Sequence, residues 1–352
     1  MNVVALPRGE GRALHGLTLG GLVLLLLLMA MAGLASGAMP LSFVEVAGAL
    51  WRWLTGAAAQ GDDQVVLMLR LPRVLMATLV GASLACSGAT MQGLFRNPLV
   101  EPGLIGVSAG AALGAIGMIV LGGSVLSAAP AVMGSFGIAG AGFLGGLTAT
   151  IVVYLIGRRR PGVATLLLAG VAINAIAMAG VGVLTFLANE HQLRDLSFWT
   201  LGSLGGTDWS KLAAVAPLML LPLCLLPRYA AALNALLLGE REAALLGFRT
   251  ERLRRQLIAI AALATSAAVA MCGVIGFVGL LVPHVIRMVW GPDHRLLLPA
   301  SALAGAALLI GADAVARVVV APAELPIGVI TALLGGPFFL WLLLRLRIGE
   351  SA

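Results

Sequence analysis

Charge is what this chain has least of. Asp, Glu, Lys and Arg make up 11% of its 352 residues and hydrophobic residues 60%, whereas soluble domains carry about 25% charged residues. That little polar material cannot cover a soluble core of this size. A mean hydropathy of +1.05 agrees, and the chain reads as a polytopic membrane protein. Aromatic residues are also scarce, at 5%, which removes the stacking platforms that single-stranded nucleic acid requires. With no basic face either, no nucleic-acid partner is expected. The three cysteines, Cys86, Cys224 and Cys272, sit inside apolar runs without paired spacing. They are read as buried small hydrophobes, not disulfides or metal ligands. Lysine occurs once, at Lys211 after Ser210. The Gly-Lys pair of a phosphate-binding loop is therefore missing, and the chain is not expected to hydrolyse ATP by that route. His15, His191, His284 and His294 lie in different segments, so neither a metal site nor an integral-membrane transferase is indicated. No catalytic residue, metal or resident cofactor is assigned.

What the chain does have is long apolar runs. About 20 apolar residues cross the hydrocarbon of a bilayer, and ten segments qualify: 13–36, 70–96, 103–123, 136–156, 163–187, 210–227, 256–275, 277–290, 297–317 and 326–344. The first is longer than a secretory signal core of roughly 7–15 residues and is expected to remain as a span. An even count puts both termini on one side. If that side is the cytoplasm, sixteen of the 22 basic residues face it and six lie outside: Arg52, Arg70, Arg73, Arg194, Lys211 and Arg317. This is the bias expected when Lys and Arg set topology. The fold class is thus an all-α integral membrane protein with ten transmembrane helices, cytoplasmic termini and contacts to membrane lipid, forming a single domain over 1–352.

The interiors of these spans are almost uncharged. Asp313 and Glu101 fall near predicted ends, and Asn174 is read as an interhelical hydrogen bond. An ion-coupled secondary transporter, the reading from another functional class, needs buried carboxylates and is disfavoured. Gly106, Gly110 and Gly114 recur every fourth residue and predict a smooth packing face. The polar stretch 228–256 contains EREAALLG, a short amphipathic helix between Gly239 and Gly247 whose apolar face lacks an evident partner. In LRLPRV, the proline suits a first helical turn, so the second span is expected to begin at Pro72.

The stretch RLPRVLMATLVGASLACSGATMQGLFRNPLVEPGLIGVSAGAALGA resembles the permease subunits of iron-siderophore, haem and cobalamin ABC importers, the FecCD family. TLLLAGVAIN, WTLGSLGGTDW, LGEREAALLGF, GVIGFVGLLVPHVIR, GPDHRLLLPASALAGA and AELPIGVITALLGGPFFLWLLLR continue the match in order. The resemblance implies a homodimeric permease of a bacterial inner membrane, served by two ATP-binding cassette subunits and a periplasmic substrate-binding protein. It implies ATPase coupling at Glu240, Ala243, Leu246 and Gly247, within a cytoplasmic loop at about 228–256. A cytoplasmic gate is implied at Asn97 and Leu99, and binding-protein docking at Arg70, Arg73 and Arg317. The alternative for the three arginines is interfacial anchoring. The run VVAPAELPIGVITALLGGPFFLWLLLR is closest to haem permeases, which makes haem the expected cargo, with ferric siderophore or cobalamin as alternatives. His191, in ANEHQLRD, is either a haem contact or a solvated histidine.

Overall fold

The computed structural model describes residues 8–58, 60–125, 134–159 and 162–349, and among these the secondary structure is helical with no strand. Arg8–Ala35 (α1), Phe43–Thr55 (α2) and Leu71–Phe95 (α3) open the chain, followed by Val107–Val125 (α4), Gly134–Arg159 (α5) and Val163–Leu187 (α6). Glu190–Leu201 (α7), Trp209–Leu225 (α8), Ala230–Leu238 (α9) and the short Glu240–Leu245 (α10) come next. Thr250–Cys272 (α11), Val278–Trp290 (α12), His294–Val318 (α13) and Ile327–Gly349 (α14) complete it.

Seven described helices are long and apolar enough to cross a membrane, and three more are apolar but shorter: Val107–Gly122, Val278–Trp290 and Ile327–Leu342. Each predicted span coincides with one of these ten. The boundaries shift where backbone chemistry intervenes. The second helix does not begin at Pro72 but seven residues earlier, as a π-helical turn over Val65–Arg70, in which the Leu71 N–H donates to the Val66 carbonyl. Proline lacks an N–H, and the widened turn carries the helix up to it. The helices α2 and α7 were not foreseen. Both carry capping boxes, Ser42 with Glu45 and Asn189 with Gln192, but at 13 and 12 residues they are too short to span a bilayer.

The core is built around α3, which is buried along nearly its whole length. No charge occurs between Arg73 and Arg96, so the helix has no polar face and sits at the centre, packed by α13, α11, α12 and α8. Small residues permit this. A β-carbon on Gly88 would overlap the Gly279 carbonyl oxygen, and one on Gly81 that of Gly305. The expected glycine face also forms: Gly110 meets Gly145 and Ala149, and Gly114 meets Ala141, closing α4 against α5. Large apolar side chains such as Leu24, Leu27, Ile151, Leu168, Val183, Phe186 and Leu340 point outward, as they must where lipid replaces water. One cysteine departs from expectation. Cys86 and Cys272 are buried but Cys224 is exposed, because α8 is an outer helix with one face off the core.

Helix α2 is tied down by electrostatics. Arg52 donates to Asp63 through Nε at 2.8 Å and Nη2 at 2.7 Å, and the Gln60 N–H adds a third bond. Trp53 stacks on Trp209 with centroids 6.5 Å apart. The Arg52 bonds hold the Asp63 carboxyl at about 2, well below its ordinary value. A carboxyl whose folded pKa is depressed stabilises the fold above its unfolded pKa and stops doing so as pH falls through the folded one. The α2 tether should therefore loosen between about pH 4 and pH 2, read as a shift in tryptophan emission of the solubilised protein. Asp63→Asn should already be loose at neutral pH. A titration that is flat in this window would disprove the tether.

Candidate functional site

At one end of the bundle, three helices bring LRLPRV and the C-terminal part of α13 together. Arg73 donates to Asp313 through Nε at 3.0 Å and Nη2 at 2.8 Å, and to Glu324 through Nη1 at 2.9 Å and Nη2 at 3.0 Å. Arg317, one turn beyond Asp313, reaches the same carboxylate with Nε at 3.0 Å. Its remaining donors meet the Ser36 and Gly33 carbonyls, each at 2.8 Å. Arg70 donates to Leu34 O at 2.7 Å, Ala35 O at 3.0 Å and Met39 O. Two guanidinium groups thus share one buried carboxylate, while the C-terminal end of α1 supplies oxygens, consistent with the negative pole of a helix.

The three sequence-predicted arginines are therefore assembled in one place, with a correction to their exposure. Arg70 and Arg317 are each 6% exposed. Their N–H groups are engaged internally, so neither is a free surface charge or a headgroup anchor in this conformation. Glu324 was missed, since nothing in AELPIG separates it from a solvated loop carboxylate. Asp313 stands four residues before Arg317, one helical turn, which puts both on the same face of α13.

The opposite end carries α10. Gly239 at φ +136° and Gly247 at φ +89° bound it, conformations that favour glycine. Arg254 on α11 pairs with Glu240 at 2.6 Å. Ala243 is fully buried, so it anchors the helix instead of meeting a partner. The outward residues are Leu246, 62% exposed, and Leu245, 88% exposed. Leu245 escaped the sequence reading, which treated the Ala-Ala-Leu-Leu run as one face. Gly247 has open space around it.

Asn97 and Leu99 follow the end of α3. The Asn97 carboxamide oxygen accepts from the Leu99 N–H at 2.9 Å, an Asx turn that holds Leu99 outward. Between the two ends, opposite Leu84 midway along α3, lies a cavity of about 440 Å³ bounded by Glu101–Leu104, α4, α6, α11 and the non-helical Val274–Gly276. Irregular backbone at this depth is tolerated where it lines a cavity. Asn174 donates to the Gly103 carbonyl at 3.1 Å, the interhelical bond expected of it. Its Oδ1 and the Thr265 hydroxyl have no partner among the described residues. His191 is exposed on α7 and is not part of this cavity's lining, to which α7 contributes Thr200. His284 has both ring nitrogens buried and without a hydrogen-bond partner among the described residues and packs edge-on to Phe338.

This arrangement defines an all-helical membrane permease: apolar outside, polar at both ends, hollow between, with two leucines exposed on a short helix at one end. The chain belongs to the FecCD transport family, whose model matches residues 23–345, and is a permease of the ABC importer class. It is 47% identical over 344 residues to the hemin transport system permease protein HmuU of Yersinia pestis, covering 97% of this chain and 99% of that one. It is 40% identical to the vitamin B12 import system permease protein BtuC of Klebsiella pneumoniae, covering 93% of each. It is 45% identical over 283 residues to the cobalamin import permease of Halobacterium salinarum, covering 79% of this chain and 73% of that one. A solved structure described as an inward-facing metal-chelate type ABC transporter superposes with a TM-score of 0.80 at 35% identity, covering 93% and 98% of the two chains.

Proposed function

We propose that this chain is the membrane-spanning subunit of an ATP-driven importer that carries haem from the periplasm to the cytoplasm of a bacterium. The observation that supports haem over the alternatives is the end-to-end similarity to a hemin permease, at 47% identity over 99% of its length. One chemical feature favours the same cargo. Imidazole is an axial ligand of haem iron, and His284 offers a ring with neither nitrogen engaged among the described residues. The cobalamin relatives, at 40% and 45% identity, support the second reading, in which a corrinoid takes the same route.

In this proposal two copies form the transporter in the inner membrane, each with ten spans and cytoplasmic termini. Two ATP-binding cassette subunits press on α10 through Leu245 and Leu246, with Glu240, Ala243 and Gly247 holding that helix in place. Asn97 and Leu99 form the cytoplasmic gate, and the Arg70, Arg73 and Arg317 end receives a periplasmic substrate-binding protein.

The complete transporter in proteoliposomes should accumulate haem on addition of ATP and leave cobalamin and ferric siderophores outside. His284→Ala should lower haem uptake while ATP hydrolysis continues. Uptake of cobalamin or a siderophore without haem would overturn the cargo assignment.

A further inference from the structure

We propose that Glu324 is an internal competitor at the docking end, holding the position on Arg73 that a carboxylate of the binding protein must take. The inference rests on the docking reading above and adds the residue that regulates it.

The accessible surface and the hydrogen bonds lead to it. Arg70 spends its donors on backbone oxygens of Leu34, Ala35 and Met39. Arg317 spends its own on Asp313, Gly33 and Ser36. An incoming acid cannot replace those oxygens without parting α1 from α3 and α13. Arg73 is different. Its inner edge is fixed on Asp313, whose side chain is 2% exposed, but its outer edge is held by Glu324, whose side chain is 43% exposed. That outer contact is bidentate, the fork geometry in which a guanidinium binds a carboxylate best. Among the described residues it is also the one side-chain contact of the three arginines made to an exposed, removable group. A docking Asp or Glu therefore enters by exchange with Glu324.

The loop presenting Glu324 is fixed immediately on its C-terminal side. The Leu325 N–H donates to Ala316 O and the Ile327 N–H to Gly202 O, each at 3.0 Å. Glu324 is thus held at Arg73 in the absence of a partner and keeps that charge compensated. Exposed ion pairs contribute little, so one carboxylate can replace another at low cost. The partner this fits is a soluble protein carrying a protruding acidic side chain.

The test measures association of the cognate substrate-binding protein with the complete transporter in nanodiscs, at low and high salt. Three variants are compared with the parent: Glu324→Gln, Arg73→Gln and the double variant. Glu324→Gln should speed association or tighten binding about threefold to fivefold at low salt, with the gain shrinking as salt is added. Arg73→Gln should weaken binding, and the double variant should lose the gain, since the competitor acts only through Arg73. If Arg73→Gln weakens binding but Glu324→Gln does not strengthen it, the competitor is refuted while docking stands. An equal gain from Glu324→Gln with and without Arg73 would reduce the effect to general charge and refute it too. If Arg73→Gln has no effect, docking at this end fails and the inference fails with it. Glu324 sits on an exposed loop, so its variant is decisive even where Arg73→Gln folds poorly.

Discussion

Replacing Asp313 with alanine should cost the fold about 3–5 kcal/mol, the penalty for removing one partner of a buried ionic group. Asp313 is 1% exposed and, among the described residues, is the carboxylate that ion-pairs with both Arg73 and Arg317, at 2.8 Å and 3.0 Å. Without it, two guanidinium groups remain close together with Glu324 as the remaining nearby counter-charge among the described residues, ion-paired with Arg73 and acting on Arg317 only at longer range. Arg317 keeps its bonds to Gly33 and Ser36 but loses its charge partner. Asp313→Asn should be milder, since the amide oxygen still accepts one hydrogen bond. Thermal unfolding of the solubilised protein reads the difference directly. An Asp313→Ala protein that melts with the parent would mean that solvent, not Asp313, compensates these arginines.

Leu246→Asp should abolish co-purification of the ATPase subunits while leaving the permease folded. Leu246 and Leu245 are exposed on a helix whose inward contact is Ala243, so the substitution disturbs nothing inside the chain. At a partner interface it would bury an unpaired carboxylate, at a cost of several kcal/mol. Exposed leucines on a soluble end of a membrane protein are a binding patch in waiting. Failure of the variant to pull down the ATPase, together with an unchanged melting temperature, is the expected pair of results. Full recovery of the ATPase with Leu246→Asp would remove α10 from the coupling contact.

Apolar length was legible in the sequence, because a segment that must satisfy its backbone in lipid can hardly be anything but a helix. All ten predicted segments are apolar helices for that reason. The glycine face of α4 was legible because a repeat of four maps onto one side of a helix. Elements α2 and α7 were not, because a helix lying along an end of the bundle needs neither length nor uniform hydropathy. Arg70, Arg73 and Arg317 were visible as residue types, but not as a network. Arg73 and Asp313 lie 240 residues apart, and no local pattern connects them. The burial of Ala243 was hidden for a related reason: in a six-residue helix, which side faces the protein is decided by the elements beneath it.

The central position of α3 also has a consequence for assembly. It leaves the ribosome early, yet its neighbours α11, α12 and α13 are made some 155 residues or more after its end. Until they arrive, Ser83, Ser87, Thr90 and Gln92, all buried in the finished protein, have only lipid or provisional partners around them. Contacts this distant in sequence are slow to close, and a waiting apolar helix with polar groups on its face is a target for quality control. The order of synthesis therefore makes α3 the oldest part of the core and the last to be enclosed, so truncation anywhere before α13 should yield a chain that is inserted but rapidly degraded.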